Sequence, residues 1–188
     1  MSNYDRVHWD TRYASAIPDM TPSPLVVEFT PAPRAPQRAL DVACGAGRNT
    51  LYLASLGYTV DAADISAVAL DVLTREAQAR GLTDRVRGLA VDLDEWRPEP
   101  AAYALVVQIA FFDPHLLPFV LAAVAPSGTL ILEAFNPRRL ETRPGFNPSH
   151  LIERGAMLKA LAGWTILHHD EAAGERGDRT QVVARRPE

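Results

Sequence analysis

The stretch Leu40-Asp-Val-Ala-Cys-Gly-Ala-Gly-Arg-Asn-Thr50 decides the fold of this chain. It begins inside the apolar run of residues 39–43, which predicts a short buried strand. Gly45 and Gly47 follow, and glycine allows a tight turn whose backbone passes close to a ligand, because it carries no side chain. Residues 49–56 then place leucine and alanine at helical spacing. A strand, a glycine turn and a helix in this order predict the first unit of an α/β sheet.

Strands and helices alternate along the rest of the chain, and two strands close it. The predicted strands are residues 39–43, 58–63, 86–91, 103–108, 129–135, 164–169 and 179–184. The predicted helices are a short one from Pro24 and longer ones over residues 49–56, 66–81, 113–125 and about 149–161. The short link of residues 170–178 predicts an antiparallel hairpin. The fold class is therefore α/β: a doubly wound, mostly parallel, seven-stranded Rossmann-like sheet with an antiparallel C-terminal hairpin.

Residues 1–37 differ in composition from the rest of the chain. They begin with polar and aromatic residues and end in the proline-rich connector of residues 31–36. Proline excludes a regular helix or a central strand there, and so few residues cannot hold a core of their own. We therefore predict an N-terminal arm or lid over residues 1–37, which belongs to the same domain as residues 38–188.

Composition and charge exclude several classes of protein. The 188 residues suit one domain, and the net charge of −4 comes without the basic block that nucleic-acid binding needs. A single cysteine, Cys44, excludes an internal disulfide framework. The N-terminus lacks the pattern of a secretory signal, and no apolar run is long enough to span a membrane. The sequence predicts a cytoplasmic monomer or homodimer with neither nucleic acid nor membrane as a partner.

Carboxylates stand in or directly after the first three predicted strands. Asp41, inside the first strand, would repel a pyrophosphate but suits a ligand that carries an ammonium group. Asp64 ends the second strand, where a carboxylate can accept both hydroxyls of an adenosine ribose. Asp92 follows the third strand and can accept the adenine amino group while Leu93 packs against the ring. A dinucleotide fingerprint would need a third glycine, where this chain has Thr50.

Three motifs in this order resemble those of the class I S-adenosylmethionine-dependent methyltransferases. Asp-Val-Ala-Cys-Gly-Ala-Gly at 41–47 resembles their glycine-rich first motif, Ala-Asp-Ile-Ser at 63–66 their ribose motif, and Val-Asp-Leu at 91–93 their adenine motif. The order and spacing make the combination specific, and the resemblance spans nearly the whole chain. It implies that residues 38–188 form an S-adenosylmethionine-binding methyltransferase domain, and that the chain is an enzyme.

Within that class the chain is most similar to the tellurite-resistance and thiopurine type. Trp9-Asp-Thr-Arg-Tyr13 resembles the element that places an arginine and a tyrosine over the methionine end of the cofactor. The resemblance implies S-adenosyl-L-methionine as the cofactor and no metal ion. The residues expected to bind this cofactor are Trp9, Arg12, Tyr13, Asp41, Gly45, Gly47, Asp64, Ile65, Asp92, Leu93 and Gln108.

Fewer residues in the sequence indicate how the methyl acceptor is bound. No Asp-Pro-Pro-Tyr motif occurs, and Gln108 ends the fourth strand where an N-methyltransferase often carries Asn or Asp. A soft acceptor needs no strong base. We therefore predict a small molecule with a thiol, a selenol or a chalcogen oxyanion as the methyl acceptor. The catalytic residue is unknown from sequence, and the candidates on the substrate side are His115, Phe112 and Arg138.

Other interpretations stay open at this level. The chain could be a non-catalytic S-adenosylmethionine-binding protein, or a nicotinamide-dependent oxidoreductase, against which the missing third glycine and the missing Tyr-x-x-x-Lys pair both count. Asp41 could be a buried structural acid, and residues 9–13 an aromatic plug over the core. His168 and His169 point to opposite faces of a predicted strand, so we expect no joint metal site from them.

Overall fold

The computed structural model describes residues 3–15, 18–33 and 37–188. The chain divides into two compact units, Met1–Arg97 and Pro98–Glu188. Of the predicted proline-rich connector, residues 34–36 lie outside the described part of the chain. The boundary between an arm and a domain at residue 37 therefore remains a prediction.

The first unit contains three parallel strands. Its helices and strands are α1 (Asn3–Ser15), α2 (Pro24–Phe29), β1 (Arg38–Val42), α3 (Arg48–Leu56), β2 (Thr59–Asp64), α4 (Ala67–Ala79) and β3 (Val86–Ala90). The strand order is β3-β2-β1, and both pairings are parallel. Val42 is paired with Ala63, and Asp64 with Ala90, so the carboxyl ends of the three strands lie side by side.

Capping residues define the ends of α3 and α4. Gly57 ends α3 in the left-handed conformation, with φ 111°, as the sequence predicts. Ser66 caps α4, because its hydroxyl oxygen accepts a hydrogen bond from the N–H of Ala69 at 3.1 Å. Leu51 of α3 and Leu73 of α4 belong to one buried apolar cluster. The two helices thereby pack against each other, and each begins shortly after a strand that carries a predicted carboxylate.

The second unit contains four strands. Its helices and strands are β4 (Tyr103–Ile109), α5 (Leu117–Ala123), β5 (Val124–Phe135), α6 (Arg139–Thr142), α7 (Ala156–Ala160), β6 (Thr165–Ala173) and β7 (Arg179–Arg185). The strand order is β4-β5-β7-β6; β4 and β5 are parallel, whereas β7 is antiparallel to both of its neighbours. Residues 105–109 and 129–134 are buried without interruption, as expected of strands that are covered on both faces.

The predicted fold class is confirmed. The seven strands have the order β3-β2-β1-β4-β5-β7-β6, and the sheet is mostly parallel. The antiparallel C-terminal hairpin consists of β6 and β7.

Two helices in the structure differ from the predictions. The predicted arm contains α1, a helix that the sequence analysis does not predict. The helix predicted over residues 113–125 is wrong at both ends, because α5 is only seven residues long. Asp113 starts a turn instead: its side chain accepts the N–H of His115 at 2.7 Å, and its carbonyl accepts the N–H of Leu117 at 3.0 Å. Both hydrogen bonds hold residues 113–117 in a turn, and the helix begins only at Leu117.

The helix predicted at about residues 149–161 forms as two short pieces. A 3₁₀ turn covers Pro148–His150, and α7 begins after Gly155, whose φ is 74°. A left-handed residue cannot continue an α-helix, so the helical stretch is interrupted there. Within the described residues, every helix is too short or too polar to cross a membrane.

Candidate cofactor site and acceptor side

Two left-handed glycines shape the turn between β1 and α3. Gly45 has φ 55°, and Gly47 has φ 85°. A Cβ atom at Gly47 would overlap the side chain of Leu73, and one at Gly45 would overlap the hydroxyl of Tyr13. Both positions therefore require glycine for the backbone conformation and for space. Because Gly45 has no side chain, another group can lie directly against the backbone of the turn, and here that group is the Tyr13 hydroxyl.

Asp64, at the end of β2, joins the glycine turn to the start of α4. Its Oδ2 accepts a hydrogen bond from the N–H of Gly45 at 2.8 Å, and its Oδ1 accepts one from the N–H of Ser66 at 2.9 Å. Burial raises the pKa of its carboxyl, although these backbone hydrogen bonds lower it. A carboxylate has about four lone-pair sites, so Asp64 can also accept hydroxyl groups from a ligand.

Asp41, in β1, is a second buried carboxyl near the same turn. Its Oδ2 accepts a hydrogen bond from the hydroxyl of Thr50 at 2.7 Å. Burial raises the pKa of Asp41 to about 7, hydrogen bonds from Thr50 lower it, and the charge of Asp64 raises it further. Burial and these two carboxyls also raise the pKa of the Cys44 thiol, which makes Cys44 a poor nucleophile. Two neighbouring buried carboxyls favour a ligand that carries positive charge.

Helix α1 packs against α4 and carries the aromatic element predicted from the sequence. Trp9, Arg12 and Tyr13 are three and four residues apart, so they share one side of the helix. The Tyr13 hydroxyl lies against Gly45, and burial raises its pKa to about 12, with the charge of Asp64 adding to the effect. Arg12 is exposed, and its guanidinium carbon lies 5.4 Å from the centre of the Trp9 ring. Tyr13 is therefore the residue of this element that reaches the glycine turn.

Asp10 of α1 also binds the start of α4, a contact that is not predicted from the sequence. Its Oδ1 accepts a hydrogen bond from the hydroxyl of Ser66 at 2.7 Å, and a longer one from the N–H of Val68 at 3.4 Å. Asp10 thereby supplements the cap of α4 and fixes α1 beside the residues that Asp64 binds. Its only signal in the sequence is its place inside the Trp-Asp-x-Arg-Tyr element.

Ile65 and the two residues predicted for the adenine, Asp92 and Leu93, follow the carboxyl ends of β2 and β3. Ile65 and Leu93 are buried. Asp92 is half-buried and begins a turn, in which its Oδ1 accepts the N–H of Asp94 at 3.0 Å. These residues lie at adjacent strand ends, and their contacts with a cofactor remain predictions.

In the second unit, polar groups bind the backbone directly after β4. Gln108 is fully buried, and its Nε2 donates a hydrogen bond to the carbonyl of Phe111 at 2.9 Å. The carbonyl of the next residue, Phe112, lies 2.8 Å from Nδ1 of His150. His150 comes from the 3₁₀ turn 38 residues further along the chain, which is why the sequence analysis misses it.

The other predicted acceptor-side residues differ in exposure. Phe112 is buried, whereas the side chains of His115 and Arg138 are exposed. Arg138 lies 4.0 Å from Glu141 on the surface, but the next residue, Arg139, is half-buried and forms an ion pair with Asp178 at 2.9 Å. Across the residues that the structure describes, no group of three or more His, Cys, Asp or Glu side chains could hold a metal ion.

Comparison with known proteins identifies the domain that contains the glycine turn. Residues 39–126 match the methyltransferase domain family. The curated proteins compared with this chain give no match. Residues 39–126 include all three predicted motifs, from the glycine turn to Asp92 and Leu93, and also Gln108.

Solved structures share the fold at low sequence identity. One is an S-adenosylmethionine-dependent methyltransferase from Mesorhizobium loti, with a TM-score of 0.70 and 19% identity over 87% of this chain and 96% of that chain. A second is described by the conversion of a disulfide bond into a thioacetal group during echinomycin biosynthesis. Its TM-score is 0.69, with 21% identity over 97% of this chain and 93% of that chain. A third is geranyl diphosphate C-methyltransferase from Streptomyces coelicolor A3(2) (TM-score 0.68, 16% identity, 86% and 73% covered).

Residues 39–126 therefore match a methyltransferase domain, and the fold is one that S-adenosylmethionine-dependent methyltransferases share. The domain match and the shared fold confirm the predictions that the chain is an enzyme and that S-adenosylmethionine is its cofactor.

Proposed function

We propose that this chain transfers the methyl group of S-adenosylmethionine to a soft nucleophile on a small molecule, and that its first unit binds the cofactor. The observation that carries the cofactor site is the junction made by Asp64 between Gly45 and Ser66. It brings a buried carboxylate to a turn at which two glycines let the backbone be approached closely. Asp41 adds a second buried carboxyl nearby, and the cofactor carries two positive groups, an ammonium and a sulfonium.

Each predicted residue has a defined task in this proposal. Asp64 accepts the ribose hydroxyls, and the backbone at Gly45 and Gly47 lies along the methionine part of the cofactor. Ile65, Asp92 and Leu93 receive the adenine. Tyr13 covers the turn and excludes water, while Trp9 and Arg12 extend that cover from α1, with Arg12 directed to the cofactor carboxylate. A contact of Gln108 with the cofactor stays a prediction from the sequence alone.

The chemistry requires alignment more than bond-making by the protein. When bound, S-adenosylmethionine supplies a methyl group on a positively charged sulfur. The protein has to hold the acceptor in line with that methyl group and keep water away. Asp41 and Asp64 favour binding of the positively charged cofactor, and α1 covers the glycine turn through Tyr13. Soft nucleophiles react in such a site without a strong base, which supports a thiol, a selenol or a chalcogen oxyanion as the acceptor.

The subtype and the partners belong to the same proposal. We infer the tellurite-resistance and thiopurine type from the Trp-Asp-x-Arg-Tyr element, whose Asp10 and Tyr13 both contact the parts of the first unit that bind Asp64. A small-molecule acceptor fits this type, as does a monomer or homodimer that uses neither nucleic acid nor membrane.

One observation favours a second function, a non-catalytic S-adenosylmethionine-binding protein. The Tyr13 hydroxyl lies against Gly45, so a ligand at the glycine turn would be felt by α1, as a protein that signals cofactor binding through α1 would require. The two functions differ in turnover, because a sensor would bind the cofactor and form no methylated product.

A matched pair of acceptors tests the proposed reaction. The protein is incubated with S-adenosylmethionine and either benzyl mercaptan or benzyl alcohol, which differ only in sulfur against oxygen. We expect methyl thioether and S-adenosylhomocysteine to form with the thiol at least about tenfold faster than any ether forms with the alcohol, because the alcohol needs a strong base. Mass spectrometry measures both products. Cofactor binding without methylation of either compound would favour the sensor instead.

A further inference from the structure

Two buried carboxyls of the first unit have no paired cation to balance them. Asp41, in β1, is 1% exposed, and Asp64, at the end of β2, is 8% exposed. Across the part of the chain that the structure describes, neither carboxyl forms an ion pair. Asp61 of β2 is also buried, but it pairs with Arg38 and Arg87. Because a buried carboxylate without a paired cation is costly, such a group tends to hold a proton instead.

Hydrogen bonds decide which of the two carboxyls holds the proton. Asp64 accepts two backbone N–H groups, those of Gly45 at 2.8 Å and Ser66 at 2.9 Å, and such donors favour the charged form. Asp41 is the more deeply buried of the two, and the hydroxyl of Thr50 donates to its Oδ2 at 2.7 Å. Burial, to which the charge of Asp64 adds, raises the pKa of Asp41 to about 7, although hydrogen bonds from Thr50 lower it. The negative charge therefore falls on Asp64 and the proton on Asp41.

We propose that Asp41 is protonated in the free protein and loses its proton when the positively charged cofactor binds, so that cofactor binding is coupled to the release of a proton. The proposal rests on the proposed function, in which the first unit binds S-adenosylmethionine. The O–H bond of the Asp41 carboxyl breaks, its electron pair stays on the carboxylate, and the proton passes to the buffer. The positive charge of the ligand then balances the two carboxylates in place of the proton.

The other groups near the two carboxyls keep one charge state between pH 6 and pH 8 or act on Asp64. Burial raises the pKa of the Cys44 thiol well above its ordinary value and that of Tyr13 to about 12, so both side chains stay uncharged. Arg48, at the start of α3, is always a cation, and it lowers the pKa of Asp41. The titratable and charged groups that face the two carboxyls are Cys44 of the turn, Arg48 of α3, and Asp10 and Tyr13 of α1.

The affinity for the cofactor should therefore rise with pH. Below the pKa of about 7, binding has to remove a proton from Asp41, whereas above it the carboxylate is already formed. If the pKa falls far lower in the complex, the dissociation constant should decrease about tenfold from pH 6 to pH 8. The number of protons released for each ligand bound should be about 0.9 at pH 6, about 0.5 at pH 7 and about 0.1 at pH 8.

Isothermal titration calorimetry of the full-length protein with S-adenosylhomocysteine counts this proton, because the ligand keeps the ammonium group of the cofactor. Each titration is run in phosphate and in ACES buffer at pH 6, pH 7 and pH 8. The two buffers differ in their heat of protonation, so the difference between the two measured heats gives the number of protons released. The same titrations give the dissociation constant at each pH.

Three variants assign the proton to a residue. Asp41→Asn keeps an oxygen that accepts from Thr50 but cannot ionise, so it should release no proton and should change its affinity less than about twofold between pH 6 and pH 8. Thr50→Val removes the hydroxyl that stabilises the carboxylate, so it should increase the release at pH 8 several-fold. Asp61→Asn is the matched control, because Asp61 is paired with two arginines, and it should release as many protons as the wild type.

Equal heats in both buffers at pH 6, or a proton release that persists in Asp41→Asn, would overturn the role of Asp41 and leave the proposed cofactor site intact. If Asp41→Asn does not fold, Thr50→Val decides, since an unchanged release at pH 8 would contradict the proposal. If S-adenosylhomocysteine does not bind at any pH, the proposed function fails, and the proton coupling fails with it.

Discussion

Replacing Asp64 by alanine is expected to weaken the binding of S-adenosylhomocysteine by at least about 1.5 kcal/mol, which is more than tenfold in the dissociation constant. The loss has two sources. The ribose hydroxyls lose a charged acceptor, and the N–H groups of Gly45 and Ser66 lose the carboxylate that holds the turn and the start of α4 together. Isothermal titration calorimetry measures the affinity directly.

Asp61 provides the matched control for Asp64. It is also a buried aspartate of β2, but its carboxylate pairs with Arg38 at 2.9 Å and Arg87 at 2.7 Å. Asp61→Ala should therefore lower the free energy of unfolding without changing the affinity by more than about twofold. Circular dichroism establishes that both variants are folded. If folded Asp64→Ala binds as tightly as the wild type, the ribose contact lies elsewhere.

Deleting residues 1–16 is expected to remove most methyl transfer while the rest of the chain stays folded. The deletion removes the whole of α1, including the Tyr13 hydroxyl that lies against Gly45. In the proposed function α1 keeps water from the glycine turn, and the deletion removes that cover. We expect turnover to fall at least about tenfold, with a smaller loss of cofactor affinity.

Single substitutions in α1 distinguish a functional cover from a structural plug. Asp10→Ala breaks the contact with Ser66 and should release the arm, so it should reproduce most of the loss. Thr11→Ala alters an exposed residue of the same helix, whose hydroxyl binds only the carbonyl of Val7 among the contacts described for it, and should change little. Full turnover and full affinity in the truncated protein would reduce α1 to a plug over the core.

The fold could be predicted from the sequence because its signals are local. The apolar runs of the strands, the glycine turn and the caps at Gly57 and Ser66 each act within a few residues. The errors also have local causes that composition does not reveal. Asp113 binds the N–H groups after it in a turn instead of opening a helix, and Gly155 breaks a stretch whose apolar spacing indicates a helix.

The candidate site could be predicted only in part. Asp64 and the glycines stand at strand ends, and strand ends meet by the topology of the sheet. Asp10 and His150 depend instead on contacts between residues far apart in the chain: Asp10 binds Ser66, and His150 binds Phe112. A lone aspartate in a polar arm, or a histidine in a loop, carries no periodicity that indicates its partner.

Titration of the wild-type protein with S-adenosylhomocysteine and, separately, with NAD distinguishes the proposed cofactor site from a dinucleotide site. Asp41 and Asp64 are buried beside a turn with two glycines, an arrangement that suits a cationic amino acid group and opposes a pyrophosphate. We expect a saturable heat of binding with S-adenosylhomocysteine and no heat of binding with NAD in the same calorimeter. Tight binding of NAD together with no response to S-adenosylhomocysteine would contradict it.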